Sequence, residues 1–269
     1  PGVPVQPPVQ PGQTNVTPGT ARPQPGGGRV FGIYVGITAY PSGALPLCAD
    51  DAIKLGQDMS RAGLQTQAQQ IVLTDAEATP DRVRQAFTQM ASQVGPNDLF
   101  IFFYSGHGSQ SSEQSGSTEL DRREESLNLI GGELTDDEMA RLFDQIRARV
   151  AIIALDSCFS GGFARDVISR PGRMGFFSSE EDLTSNVASQ FQAGGYLSHF
   201  LRLGLRGEAD NNPRDALLTA GELSHYLYSM YGNHMQDVRA STTDSVESHQ
   251  HIVIDRGSVR VSTPLLSYR

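Results

Sequence analysis

The chain has 269 residues, 38% of them hydrophobic and 19% charged, with a net charge of −9 and a pI near 5.1. That length suits one large domain with a real core. The acidity excludes a general binder of nucleic acid or anionic membrane, which would carry a basic patch, and no apolar run approaches the roughly 18 residues that span a bilayer. Pro1 is not an initiating residue. The compartment therefore stays open: a soluble chain is expected, cytoplasmic, or periplasmic or secreted if an upstream signal was removed. The two cysteines, Cys48 and Cys158, read as thiols, because a disulfide scaffold is denser in cysteine. Neither has a CxxC or Cys/His zinc spacing.

Residues 1–28 are rich in proline, glycine and glutamine without an apolar period. They read as a disordered tail or linker, leaving 29–269 as the folded domain. Val30 to Tyr40 is β-branched and aromatic and predicts a buried strand. A helix follows over 50–63, with Ala52, Leu55 and Met59 at helical spacing and Gly63 as its stop. QQIVLTD is a second strand, and Thr79 and Pro80 open a second helix as N-cap and first residue. DLFIFFYSGHG (Asp98 to Gly108) is a third strand. Ser109 to Ser126 has no core pattern and reads as a loop. A capped helix runs from Thr135, acidic in its first turn. VAIIALDSCFSGG is the fourth strand. The glycine- and arginine-containing stretch after it reads as a mobile loop, with a short strand at FFSSEED. Two helices and a late strand, HIVIDRG, complete the chain.

Strands that alternate with helices and are apolar on both faces predict an α/β fold with a mostly parallel central sheet flanked by helices on both faces. Ligands bind such sheets at the carboxyl ends of the strands. His107 and Cys158 each follow the end of an apolar strand, so the fold places both on one edge. A histidine can take the proton of a thiol and so make it a nucleophile. The glycines flanking His107 would let a substrate backbone approach. The amides of Gly108 and Cys158 are candidates for an oxyanion hole. A lone Cys158 would read as a small buried hydrophobe. Paired with His107 across one sheet, it reads as half of a catalytic dyad.

FYSGHG and LDSCFSGG resemble the two catalytic motifs of the caspase-like cysteine peptidases, clan CD, family C14. Within that clan they are most similar to metacaspases and their bacterial relatives, over about Arg29 to Asp255. The separation of His107 from Cys158, about 50 residues, is that of caspases. The resemblance implies a caspase-hemoglobinase fold and hydrolysis of peptide bonds through a thioacyl-enzyme. It also implies a first specificity pocket (S1) for arginine or lysine, built from Cys48 and Asp51 in LCADDA, Ser105, and Asp156. Two carboxylates hold a guanidinium in a fork. Read alone, Asp51 could instead be an N-cap of its helix, a role that the adjacent Asp50 fits better. Phe159 departs from the histidine common after the nucleophile in eukaryotic members.

No cofactor is required for the chemistry. ELDRREESLNL nevertheless resembles the acidic loop through which many metacaspases bind calcium, which would assign Asp121, Glu124, Glu125 and Asp166 to a metal site. A solvated charge run reads equally well. Asp210, Asn212, Asp215 and Glu222 have the residue types of an EF-hand but not its spacing. A helix cap at Thr219 is the alternative. Arginine specificity would make Arg122, Arg123, Arg165, Arg170 and Arg173 self-cleavage candidates. Glu180, Glu181 and Asp182 would either favour basic subsites or face solvent. The expected partner is a peptide or protein substrate with a basic P1 residue, met by a monomer, with no nucleic acid. A caspase-like peptidase of another P1 preference and a catalytically silent scaffold remain alternatives.

Overall fold

The computed structural model describes residues 21–22, 28–61, 69–112, 123–179, 185, 188–237, 239–241 and 247–268. In chain order the strands are β1 (Ala21–Arg22), β2 (Val30–Gly36), β3 (Gln70–Thr74), β4 (Leu99–Ser105), β5 (Gly108–Ser112), β6 (Arg123–Leu129) and β7 (Gly132–Thr135). They continue as β8 (Val150–Asp156), β9 (Arg173–Phe177), β10 (Leu217–Thr219), β11 (Arg239–Ser241), β12 (Glu247–His249), β13 (Val253–Asp255) and β14 (Pro264–Tyr268). The helices are α1 (Cys48–Arg61), α2 (Pro80–Ala91), α3 (Asp136–Asp144), α4 (Phe163–Val167), α5 (Tyr196–Leu203) and α6 (Ala220–Asn233).

Six strands form the central sheet in the order β13-β9-β8-β4-β2-β3. All neighbours are parallel except β13, which runs antiparallel to β9. Every residue of β2, β4 and β8 is buried, because both faces are covered. Tyr34, Phe103 and Ile152 pack on one side with Leu55, Leu201 and Leu227 of α1, α5 and α6. Phe31, Phe102 and Ile153 pack on the other with Phe87, Phe143 and Phe163 of α2, α3 and α4. This is the mostly parallel, doubly covered sheet expected from the sequence.

The helix starts follow local chemistry. Thr79 Oγ1 accepts from the Arg82 amide with Pro80 in the first turn, and Thr135 does the same for Glu138. Thr219 and Glu222 form a capping box, and Asp210 accepts from the amides of Asp215 and Ala216. The EF-hand-like stretch is thus a tight turn followed by a helix cap, with Asp210 and Glu222 committed to backbone N–H groups.

Three expectations change. The Ser109–Ser126 loop contains β5 and most of β6, which with β7 make a small antiparallel sheet. Its strands carry no long apolar run; their apolar share of the core is limited to Leu127, Leu129 and Leu134, which are buried. The loop after Cys158 contains α4, whose Phe163 and Val167 lie one turn apart on the buried side. β9 starts at Arg173, ahead of the expected FFSSEED strand, where it begins to pair with Ala151 of β8; Arg173 is buried against Asp144 at 2.6 Å. Of the expected tail, residues 1–20 and 23–27 lie outside the described residues, but Ala21 and Arg22 pair with Tyr268 and Ser267 of β14.

Candidate active site

The parallel register of β4 and β8 ends with Ser105 opposite Asp156. His107 and Cys158 each stand two positions further along, on the same edge of the sheet. The two loops are laced together: the Gly106 amide donates to the Asp156 carbonyl at 3.3 Å. A Cβ placed on Gly108 would lie 2.2 Å from the Cys158 carbonyl oxygen, and one on Gly106 would lie 2.4 Å from the Tyr40 hydroxyl. The glycines that flank His107 therefore make room for the protein's own groups, not only for a substrate. Phe159 turns the chain away from the nucleophile with φ 56°, a left-handed conformation that costs a non-glycine residue roughly 1–2 kcal/mol.

His107 is held on all sides. Its amide donates to the Tyr40 hydroxyl at 2.9 Å, and the Tyr104 hydroxyl donates to its carbonyl at 2.7 Å. The Tyr40 and Tyr104 hydroxyls are 2.9 Å apart, and each reaches the Asn128 carbonyl. The Tyr40 ring lies 4.5 Å from the imidazole, tilted by 55°. His107 Nε2 is 3.0 Å from the Gly43 carbonyl. A carbonyl only accepts, so Nε2 carries the hydrogen and Nδ1 of the neutral ring keeps its lone pair for a proton from elsewhere.

The Cys158 thiol is partly buried, and its Sγ accepts from the Ser185 amide at 3.3 Å. Burial pushes its pKa above that of a free cysteine, and the charge of Asp156 pushes the same way, while the Ser185 amide pulls it down. The resting side chain is a thiol, so ionisation has to accompany transfer of its proton to a base. Among the described residues no hydrogen bond joins Cys158 to His107, which fits a dyad that tightens only around substrate.

Cys48, Asp51, Ser105 and Asp156 come together beneath this edge. Asp51 is 5% exposed and its Oδ2 accepts from the Gly194 amide at 2.7 Å. It lies inside α1, which starts at Cys48, so it is not an N-cap. Asp156 is equally buried. Its Oδ2 accepts from the Ser198 amide and hydroxyl, both at 2.7 Å, and its Oδ1 from the Ser185 hydroxyl at 3.2 Å. Burial raises the pKa of both carboxyls, that of Asp51 to about 7 with help from the nearby Asp156 charge. The Cys48 thiol, pushed up to about 12 mainly by burial, sits beside the Ser105 hydroxyl, which has no other hydrogen-bond partner. Two buried carboxylates and an unsatisfied hydroxyl near the Cys158 thiol form a floor suited to a cation with several N–H donors.

The four residues expected to bind metal are only partly brought together. Asp121 lies outside the described residues, as do Arg122 and Glu180 to Asp182. Glu124 and Glu125 are neighbours on β6 and point to opposite faces. Glu125 is buried and accepts from Gln110 Nε2 at 2.8 Å. It and Asp166 approach Asp136, which sequence reasoning had only as a helix-start residue. Asp136 is pushed up to about 8, by burial first and then by the charges of Asp166 and Glu125. Its buried Oδ2 has no partner. Mutually repelling carboxylates with an unsatisfied oxygen fit a divalent cation. Among the described residues no three His, Cys, Asp or Glu side chains are already arranged to hold one.

Tyr40, Gly43, Gly194, Ser185 and Ser198 join the site unannounced by the sequence. Each is a polar or small residue in a loop or at a helix start, and long-range folding alone brings Tyr40 and Gly43 to His107, Ser185 to Cys158, Gly194 to Asp51 and Ser198 to Asp156. A cavity of about 350 Å³ at the opposite end of β8, lined by Asp144, Arg170 and Arg173, does not belong to this site. Its two arginines are both paired with Asp144.

A family model described as metacaspase, peptidase C14 domain, matches residues 32–166. Metacaspase-1B of Neurospora crassa is 29% identical over 147 residues, covering 50% of this chain and 34% of that protein. Metacaspase-1 of Schizosaccharomyces pombe is 31% identical over 127 residues, covering 43% and 30%. Metacaspase-2 of Trypanosoma brucei brucei is 26% identical over 164 residues, covering 56% and 46%. The chain thus aligns with less than half the length of each of these relatives. The crystal structure of a protein from Geobacter sulfurreducens superposes with a TM-score of 0.57 at 16% identity, covering 88% of this chain and 99% of that one. That likeness is one of fold.

Proposed function

The chain belongs to the metacaspase family of peptidase C14 domains, and from that premise we propose that it is a cysteine endopeptidase cleaving after arginine or lysine. The observation that carries the reading is the register of β4 with β8. It brings the segments carrying His107 and Cys158 to one sheet edge, close to the buried pair Asp51 and Asp156, and so supports the reading.

In this reading the P1 guanidinium or ammonium enters between Asp51 and Asp156 and fixes the scissile carbonyl over Cys158. Nδ1 of His107 takes the thiol proton as Sγ attacks the carbonyl carbon, while Gly43 and Tyr40 hold the ring in its tautomer and plane. The C–O electron pair moves onto oxygen, and the amides of Gly108 and Cys158 donate to that oxyanion. The intermediate collapses, the C–N bond breaks, and the imidazolium returns its proton to the leaving amine. Water then attacks the thioester carbonyl as His107 accepts its proton; the C–S bond breaks, the carboxylic acid leaves, and His107 returns a proton to Sγ.

Calcium would act structurally: drawn together around the ion, Glu125, Asp136 and Asp166 would hold it, and it would relieve their repulsion without taking part in bond making. Self-processing belongs to the same proposal. Arg173 is only 6% exposed and opens β9, so its bond cannot enter a cleft without unfolding the sheet. Arg170 precedes Pro171, whose nitrogen has no N–H to present to the protease. Arg123 and Arg165 are the candidates left among the described residues. Among the described residues no helix is long and apolar enough to cross a membrane.

Fluorogenic peptides ending in arginine, lysine or aspartate, assayed with wild type and Cys158→Ala, test the proposal. Turnover confined to the basic peptides and absent from the variant is expected. Turnover that survives in Cys158→Ala, or that favours aspartate, would refute it.

A further inference from the structure

Ser185 touches both halves of the site. Its amide donates to Cys158 Sγ at 3.3 Å and its hydroxyl donates to Asp156 Oδ1 at 3.2 Å. That hydroxyl also accepts from Gln250 Nε2 and Ser178 Oγ, both at 3.0 Å. Ser178 in turn accepts from the Ser157 amide at 3.1 Å. One serine therefore sits between the two ends of the Asp156-Ser157-Cys158 segment, anchored from Ser178, the residue after β9, and from Gln250, the residue after β12.

We propose that Ser185 is a positioning residue that links the S1 carboxylate to the nucleophile, so that a cation bound at Asp156 promotes ionisation of Cys158. The proposal rests on the reading of Cys158 as nucleophile and Asp156 as pocket floor. Two physical effects act together. An amide aimed at sulfur stabilises the thiolate over the thiol. The Asp156 charge opposes that thiolate, and a guanidinium beside Asp156 cancels the opposition. The Ser185 hydroxyl keeps the amide in place only while it is tied to Asp156, Ser178 and Gln250. Among the described residues, the other ionisable groups near Cys158 are His107 and Tyr104, and burial keeps Tyr104 neutral. Asp156 is faced by Asp51 and Cys48 from α1, and by the buried, neutral Tyr231 from α6. Positive charge in the pocket is therefore the change that would release the nucleophile. A substrate with the wrong P1 residue would meet a less reactive thiol as well as a poor fit.

The test is the pH profile of iodoacetamide alkylation at Cys158, read by peptide mass so that the buried Cys48 is scored separately. Agmatine, a free guanidinium, is the pocket probe, and its binding is measured by calorimetry. In wild type, agmatine should lower the alkylation midpoint by about one pH unit, a tenfold faster reaction below the midpoint. Ser185→Ala keeps the amide but loses the anchor. Its midpoint should rise by about one unit, and the agmatine shift should fall by more than half. Ser185→Thr should restore both. Agmatine that binds wild type without moving the midpoint would overturn the coupling and leave the basic pocket standing, with no variant needed. An unchanged midpoint and full agmatine shift in folded Ser185→Ala would overturn the role of Ser185. Failure of agmatine to bind wild type would instead remove the basic-pocket reading, and this inference with it.

Discussion

Ser105 and Asp156 face each other as the last paired residues of two parallel strands, and the site is built outward from that pair. The side chains of both are buried beside Cys48 and Asp51, and the chain beyond each carries one member of the candidate dyad. In the proposed reading, recognition and chemistry are thereby tied to one backbone register, which a fully buried sheet holds in place.

Asp156→Asn should lower kcat/KM for arginine peptides by at least tenfold, since an amide cannot pair with a guanidinium. The chain should still fold, because asparagine can keep accepting from the Ser198 amide. Steady-state kinetics with circular dichroism checks this, and unaltered kinetics in a folded variant would contradict the pocket.

Asp51 holds its proton more tightly in the folded chain, with a pKa raised from 3.8 to about 7. Its contribution to stability is then fully present below pH 4 and is lost as pH rises through about 7, up to about 4 kcal/mol. Denaturant melts across that window should show wild type losing this stability relative to Asp51→Asn. Ionised Asp51 also binds a cation better, so KM for arginine peptides should fall as pH rises through 7 in wild type and less so in the variant.

Tyr40→Phe retains the ring against His107 but removes the hydroxyl that binds its amide. The expected result is a fall in kcat of about tenfold with KM little changed, because the missing interaction orients the base and does not touch the P1 side chain. A rise in KM alone would contradict this.

Gly108→Ala would drive a methyl group into the Cys158 carbonyl oxygen, 2.2 Å away. Shifting the two loops should cost roughly 1–3 kcal/mol and remove most activity. A thermal melt together with an alkylation assay separates the two effects.

Much of this was legible because it is periodic or locally capped. β2, and β4 and β8 up to their last residues Ser105 and Asp156, are apolar runs that announced a sheet covered on both faces, and Thr79, Thr135 and Thr219 marked their helices with ordinary capping chemistry. His107 and Cys158 were visible because each interrupts an apolar run at its end. The β5–β7 sheet was not, since strands such as Gly108–Ser112 pair at an edge with polar side chains. Nor was Asp136: its place in the first turn of α3 fully explains an acidic residue, and only the fold shows Glu125 and Asp166 beside it. Ser185 and Tyr40 act through contacts to residues 27 and 67 positions away, and no local pattern encodes these.

The most direct measurement is kcat/KM for matched peptides that differ only in arginine or aspartate at P1, with wild type and Cys158→Ala. The account predicts a preference for arginine of at least a hundredfold, about 2.7 kcal/mol, and no turnover by the variant. Equal or preferred cleavage after aspartate would contradict the pocket built on Asp51 and Asp156, and turnover by Cys158→Ala would contradict the dyad itself.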